Sequence, residues 1–347
     1  MLRCWCALSL AFFLLLSLPG CDFVVSPLGG SEGRTLVYVA QGKAGAPNAG
    51  IICTRQGCVV IDPMLSPTVS ASLHSQALAK SRIFWDNLHT QRKERARTQA
   101  PPVLYVLNTT FRASHTFGNQ EFEPTADIVS TPRARERLEL DGRAMREELR
   151  DLWKVPGLES HAVTTATLTV DGTLNIDTQD IKIQFISMGD CVGEGDAVVY
   201  LPGQKVLFAG DLVIPGYIPY HKSRTLTLKN WISALKTLES WEIESVVPGH
   251  GEVARKDAIK TQREFLEALL SEVEQAVKNG KSLEETAQSV KLPKYSKWLR
   301  YDEWLSENVK LAYRELKGGP AVTGGTPPGA GVVEPKIVDR PDSFRAK

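Results

Sequence analysis

Between residues 34 and 250 the chain repeats one pattern: strand-length apolar runs closed by Gly, Pro, Asn or Asp, interleaved with charged helical stretches. Three such runs, "TLVYVAQG", "GIICT" and "CVVID", lie between Arg34 and Asp62. A helix-prone stretch follows from Pro67 to about Arg97, and Val103 to Leu107 reads as a strand entering a loop. Residues 132–154 read as charged helix. Strands resume in "TATLTVDGTLNID", with an Asp171-Gly172 turn, in "IKIQFISMGD", and in "AVVYLPGQKVLFAGD", with a Pro202-Gly203 turn. The helix "LKNWISALKTLES" precedes a last short strand, "ESVVPGH". This order predicts two sheets packed face to face with helices outside.

The rest of the chain divides around that block. Residues 1–20 have an early Arg3, an apolar run and small residues before Cys21, the layout of an export signal. "LPGC" resembles the lipobox of bacterial lipoproteins, which implies an acylated Cys21 as mature N-terminus. The expectation is an exported lipoprotein on the extracytoplasmic face of a cell membrane, with membrane lipid as its partner. Residues 21–34 read as a tether, 35–265 as the main domain, 266–318 as a helical extension and 319–347 as a Gly- and Pro-rich disordered tail. In the extension Phe265, Leu266, Leu269, Leu270, Val273 and Val277 form one helical stripe. Ser282 and Glu285 have capping-box spacing. A balance of 41 basic against 40 acidic residues gives no reason to expect nucleic acid. The basic run "QRKERAR" reads as a solvated helix end or as a contact for anionic lipid headgroups.

Export would leave Cys53, Cys58 and Cys191 in the mature chain. Thr54-Arg55-Gln56-Gly57 is a hairpin signal that sets Cys53 opposite Cys58. Either a disulfide or two half-buried thiols is compatible with that placement.

Four segments, "NAGIICTRQGCVVIDPM", "YVLNTTFRASHTFGN", "GDAVVYLPGQKVLFAGDL" and "VVPGHGEV", together resemble the metallo-β-lactamase superfamily in its glyoxalase II-like hydrolase branch. The resemblance covers about residues 35–265 and implies an α/β fold, an αββα sandwich with its site at one edge between the sheets. The family's second motif is His-x-His-x-Asp-His, and its four ligand places fall here on Thr110, Arg112, Ser114 and His115. The place of the next family histidine is Val192. The bridging aspartate matches Asp211 and the last histidine matches His250.

By that correspondence the first ion of the family has lost every ligand except Asp211, whereas the second keeps His115, Asp211 and His250. Two imidazoles and a carboxylate suffice for one catalytic ion, which needs three protein ligands and an open position. The expected cofactor is at most one divalent ion, zinc by the donor set, or none. Arg112 argues for none, because a guanidinium could replace the missing ion's charge and pair with Asp211. It could also serve an anionic ligand. Asp62 matches a family aspartate that braces the site loops and reads as structural. Asp190 and Cys191 are weaker ligand candidates than loop and packing residues, and His74, His89, His161 and His221 lie outside the motifs. Two functional expectations follow: a one-metal hydrolase of an ester, thioester or lactone, or a non-catalytic protein that binds a small molecule or protein partner at the membrane.

Overall fold

Alternation along the strands decides the architecture. Successive residues of a strand face opposite ways, so Ile51 and Ile52, Val59 and Val60, and Leu207 and Phe208 must each bury on two different sides. They do: Ile52, Val59 and Phe208 share one apolar cluster, whereas Ile51 and Val60 join a second and Leu207 a third. Three apolar layers imply two sheets with helices on both outer faces. In the computed structural model the residues described are 23–28, 36–42, 46–92, 101–151, 154–219 and 227–318. Cys21, most of the basic run after Arg92, His221 and the tail 319–347 lie outside them.

The first sheet has seven strands in the order β1 (Phe23–Pro27), β2 (Val37–Gly42), β3 (Ala49–Cys53), β4 (Cys58–Ile61), β5 (Val103–Leu107), β6 (Asp127–Ser130) and β7 (Leu168–Thr169). Pairing is antiparallel from β1 to β4 and parallel from β4 to β7. The second sheet has the order β12 (Ser245–Pro248), β11 (Val206–Gly210), β10 (Asp196–Leu201), β9 (Lys182–Gly189) and β8 (Thr173–Asp177). Only β11 and β12 are parallel there. Helix α1 (Pro67–Arg92) covers the first sheet's outer face through Leu73 and Ala77. Helices α4 (Leu228–Glu239), α5 (Asp257–Lys278), α6 (Leu283–Ser289) and α7 (Tyr301–Leu316) cover that of the second. The short α2 (Ala113–Thr116) and α3 (Pro132–Asp151) pack together beside the first sheet. No helix among the described residues is long and apolar enough to cross a membrane.

Several sequence expectations change. Phe23–Pro27, read as tether, is an edge strand, because Phe23 and Val25 pack into the cluster beneath α1 while the backbone pairs with β2. The Asp171-Gly172 turn does not close a hairpin; β7 belongs to the first sheet and β8 to the second, so the chain crosses between layers there. Strand β6, only four residues long with polar ends, gave no run to read. The C-terminal helical extension packs on the second sheet, and its first helix, α5, runs across residue 265. Phe265, Leu266, Leu269 and Val273 are fully buried in the same cluster as Leu207 and Val246, with Leu270 and Val277 packed against it. Ser282 and Glu285 form the reciprocal capping box.

Candidate metal centre

The chemistry-bearing residues sit just past the carboxyl ends of strands that run parallel. Asp62 follows β4, Thr109 to Arg112 follow β5, Asp211 follows β11 and His250 lies beyond β12. Parallel pairing brings these ends together in each sheet, and stacking brings the two pairs face to face. Two glycines permit the final approach. A Cβ on Gly210, whose φ is +51°, would meet the Thr109 hydroxyl at 2.4 Å. A Cβ on Gly249 would meet Asp211 Oδ1 at 2.3 Å.

His115, Asp211 and His250 converge as the motifs imply. Their candidate ligand atoms all lie within 4.8 Å of one another. His115 Nε2 is 3.2 Å and His250 Nε2 3.7 Å from the same oxygen, Asp211 Oδ1. Ligands about 2.0 Å from a tetrahedral zinc ion are separated by about 3.3 Å, and the two histidine–Asp211 separations, 3.2 and 3.7 Å, lie near that spacing. The imidazoles meet edge to face, with ring centroids 5.3 Å apart.

The other carboxylate oxygen faces elsewhere: Asp211 Oδ2 lies 3.4 Å from Arg112 Nε. Arg112 also donates through Nη2 to the Val192 carbonyl at 2.9 Å. Two of the altered positions, Arg112 and Val192, thus meet, and the Val192 side chain turns away into the core under α4. Thr110 is buried and its hydroxyl has no hydrogen-bond partner among the described residues. Ser114 is half-buried on α2 and is not part of the three-residue cluster.

Asp62 does more than brace a loop. It accepts from the Thr109 backbone N–H at 2.8 Å and from the Thr109 hydroxyl at 2.6 Å. Its Oδ2 is also 3.1 Å from His115 Nδ1. A carboxylate on one ring nitrogen orients the other toward a metal, the usual outer support of a metal-binding histidine. Asp62 holds a left-handed backbone, φ 51°, which its short polar side chain tolerates. The sequence signal was the aspartate closing "CVVID", but a contact across fifty residues of chain was not readable from it. Asn48 was also missed. It donates to the carbonyls of Pro248 at 2.9 Å and Gly251 at 2.8 Å and so fixes the loop carrying His250.

The electrostatics follow from this packing. Burial pulls the His115 pKa down, but Asp211 and Asp62 outweigh it and push it up to about 10. Burial would raise Asp211, yet His115, His250 and Arg112 hold it well below the usual carboxylate range. Asp196 goes the other way. Burial pushes it up to about 6, although it accepts from the Val192 and Gly193 N–H groups and faces Arg112.

The remaining candidates lie apart. Asp190 accepts from the Gly195 N–H and approaches Arg133 at 3.6 Å, bracing its own loop. Cys191 is a buried thiol raised by desolvation. Cys53 and Cys58 are directly opposed in register, buried and free, and Cys58 donates to the Ala77 carbonyl at 3.4 Å. His161 is buried against Phe117, and His74 packs on Phe122.

A family model described as the metallo-beta-lactamase superfamily matches residues 42–250. The chain belongs to that superfamily. Among solved structures, the stereoselective inverting sec-alkylsulfatase Pisa1 from Pseudomonas sp. is similar at 18% identity and a TM-score of 0.59. That similarity covers 84% of this chain and 51% of the sulfatase, so the chain spans about half of that relative's length. The protein TMB-1 is similar at 13% identity and a TM-score of 0.51, over 71% of this chain and 97% of the other. At such identities the likeness is one of fold. No curated protein matches the chain.

Proposed function

We propose that this chain is a one-metal hydrolase of the superfamily, with His115 Nε2, Asp211 Oδ1 and His250 Nε2 as the ligands. The observation that carries the reading is the division of Asp211. One oxygen faces two imidazoles and the other faces a guanidinium, so metal and Arg112 need not compete for the same atom. The guanidinium then supplies the positive charge that a first ion gives the full family site. A divalent ion held by these ligands would polarise a substrate oxygen and lower the pKa of bound water. Asp62 keeps His115 in the tautomer and ring orientation that present Nε2. The substrate class is an ester, thioester or lactone, and the fold shared with an alkylsulfatase adds sulfate esters to the panel worth testing.

A second reading has its own support. A proton on His115 satisfies both Asp62 and Asp211 without any ion. In that reading the cluster is structural, and the protein binds a partner or small molecule without catalysis. One experiment separates the two: metal content of the purified protein, beside Asp211→Ala, with hydrolysis of the ester panel followed at each zinc loading. Hydrolysis that tracks zinc occupancy and vanishes in the variant supports the enzyme. A protein that takes up no zinc is the pseudoenzyme. We also propose that Cys21 is acylated and holds the protein on the extracytoplasmic face of a membrane. Mass spectrometry of the mature N-terminus tests it, and an intact Met1 or an unmodified Cys21 would sink it.

A further inference from the structure

We infer that Arg112 forms an oxyanion subsite beside the metal position, so that the natural substrate carries a carboxylate, sulfate or phosphate group next to the bond that is cleaved. This rests on the one-metal reading and adds the chemical class of the substrate to it.

A guanidinium offers five N–H donors in a planar fork suited to two-point contact with an oxyanion. Arg112 uses few of them. One Nη2 hydrogen goes to the Val192 carbonyl at 2.9 Å. Nε lies 3.4 Å from Asp211 Oδ2 but makes no hydrogen bond. Nη1 makes none among the described residues either. The side chain keeps 22% of its surface exposed, while Asp211 opposite keeps 6%. Donors are therefore left over on a residue that reaches both solvent and the buried carboxylate. A guanidinium with no further task would be expected to close a short hydrogen-bonded pair with Asp211, which this geometry does not do.

The charges make the subsite conditional. Without an ion, Asp211 and Asp196 both face Arg112 and oppose an incoming anion. An ion on Asp211 Oδ1 neutralises that carboxylate and leaves Asp196 as the carboxylate still facing the guanidinium, so the opposition to an incoming anion falls. The metal and the anion should then bind with positive coupling, and coupling between two ligands is reciprocal. The anion raises zinc affinity by the factor by which zinc raises anion affinity.

That reciprocity gives a test that needs no substrate. Zinc affinity of the full chain is measured by competition with a chromophoric chelator in chloride, acetate, sulfate and phosphonate buffers of equal ionic strength. Wild type should bind zinc roughly fivefold or more tightly when a competent oxyanion replaces chloride. In Arg112→Gln the dependence on anion should disappear, while Arg112→Lys should retain part of it. Circular dichroism confirms that the variants are folded. The anion with the largest effect identifies which oxyanion the subsite takes. If wild type and Arg112→Gln respond alike, the anion sits on the zinc alone and the inference is overturned, with the one-metal reading intact. If wild type binds no zinc in any buffer, both fall together.

Discussion

Asp211 and Arg112 face each other at 3.4 Å through Oδ2 and Nε, while Oδ1 of the same carboxylate is left to His115 and His250. On the one-metal proposal, the carboxylate that matches the family's bridging aspartate keeps a two-sided role, with a side chain in place of one of the family's two cations. The exchange is economical in charge, since a buried carboxylate is costly unless paired. It is also geometrically permitted, because Arg112 reaches in from the loop after β5 and is anchored on the Val192 carbonyl.

The outer support of His115 is the first point to test. Asp62→Asn keeps the shape, but its amide can no longer hold His115 Nδ1 as a carboxylate does. Loss of such a partner costs roughly 10- to 100-fold in metal affinity. Because Asp62 also receives two bonds from Thr109, the metal-free protein should lose on the order of 1–3 kcal/mol. Chelator competition and urea melts measure the two effects. An unchanged zinc affinity would mean that His115 is oriented by packing alone.

Zinc uptake should release a proton. His115 holds its proton in the metal-free protein up to a pKa of about 10, against an ordinary value of 6.5. The proton's contribution to stability is complete below about pH 6.5 and is lost as pH rises through 10. A metal on Nε2 must displace it, so zinc affinity should climb about tenfold per pH unit from neutrality toward 10. Calorimetry in buffers of different ionisation enthalpy counts the protons. The EDTA-treated protein should show a melting midpoint that falls between pH 7 and 10. A flat profile in both measurements would place the proton elsewhere.

Asp196 predicts an opposite use of burial. Its pKa of about 6 lies above the carboxyl's ordinary 3.8, so its folded state favours the neutral form. The associated stability is complete below about pH 3.8 and is lost as pH rises through 6. In Asp196→Asn the amide oxygen can keep the two N–H bonds from Val192 and Gly193 without the charge. The variant should be more stable than wild type at pH 8 by roughly 1–3 kcal/mol, with the gap closing on acidification. A gap that widens at low pH would refute the assignment.

How much of this was legible is clear from particular residues. The layer order was readable because strand faces alternate and the central runs are apolar on both sides, as at Val198-Val199 and Val246-Val247. The convergence of His115, Asp211 and His250 was readable only through the ordered motifs, since 96 positions separate His115 from Asp211. The division of Asp211 between two oxygens was not, because sequence spacing carries no information about which oxygen meets which partner. Strand β1 was hidden because its pairing with β2 spans residues that read as linker. The role of Asp62 was half visible: its position was readable, its hold on His115 was not.

The geometry also decides between two outcomes for Arg112→His. Were Arg112 and the metal rivals for one oxygen, removing the guanidinium would release the carboxylate and strengthen binding sharply. They face different oxygens, so the gain should be small. A second ion should not follow either. The imidazole would add one ligand on the Oδ2 side, but Thr110 offers only a hydroxyl in place of a family histidine and the Val192 side chain points into the core. Two ligands are too few for a structural or catalytic zinc ion, which takes three or four. Stoichiometry should therefore stay at one ion in wild type and in Arg112→His. His250→Ala removes one of only three ligands and should reduce binding below detection at micromolar zinc, with the fold retained because His250 lies at the partly exposed rim of the cluster. Isothermal titration with zinc on the three proteins is the measurement. Two tightly bound ions in the wild type would show that a residue outside the described cluster completes a second site, and full binding by His250→Ala would remove that histidine from the ligand set.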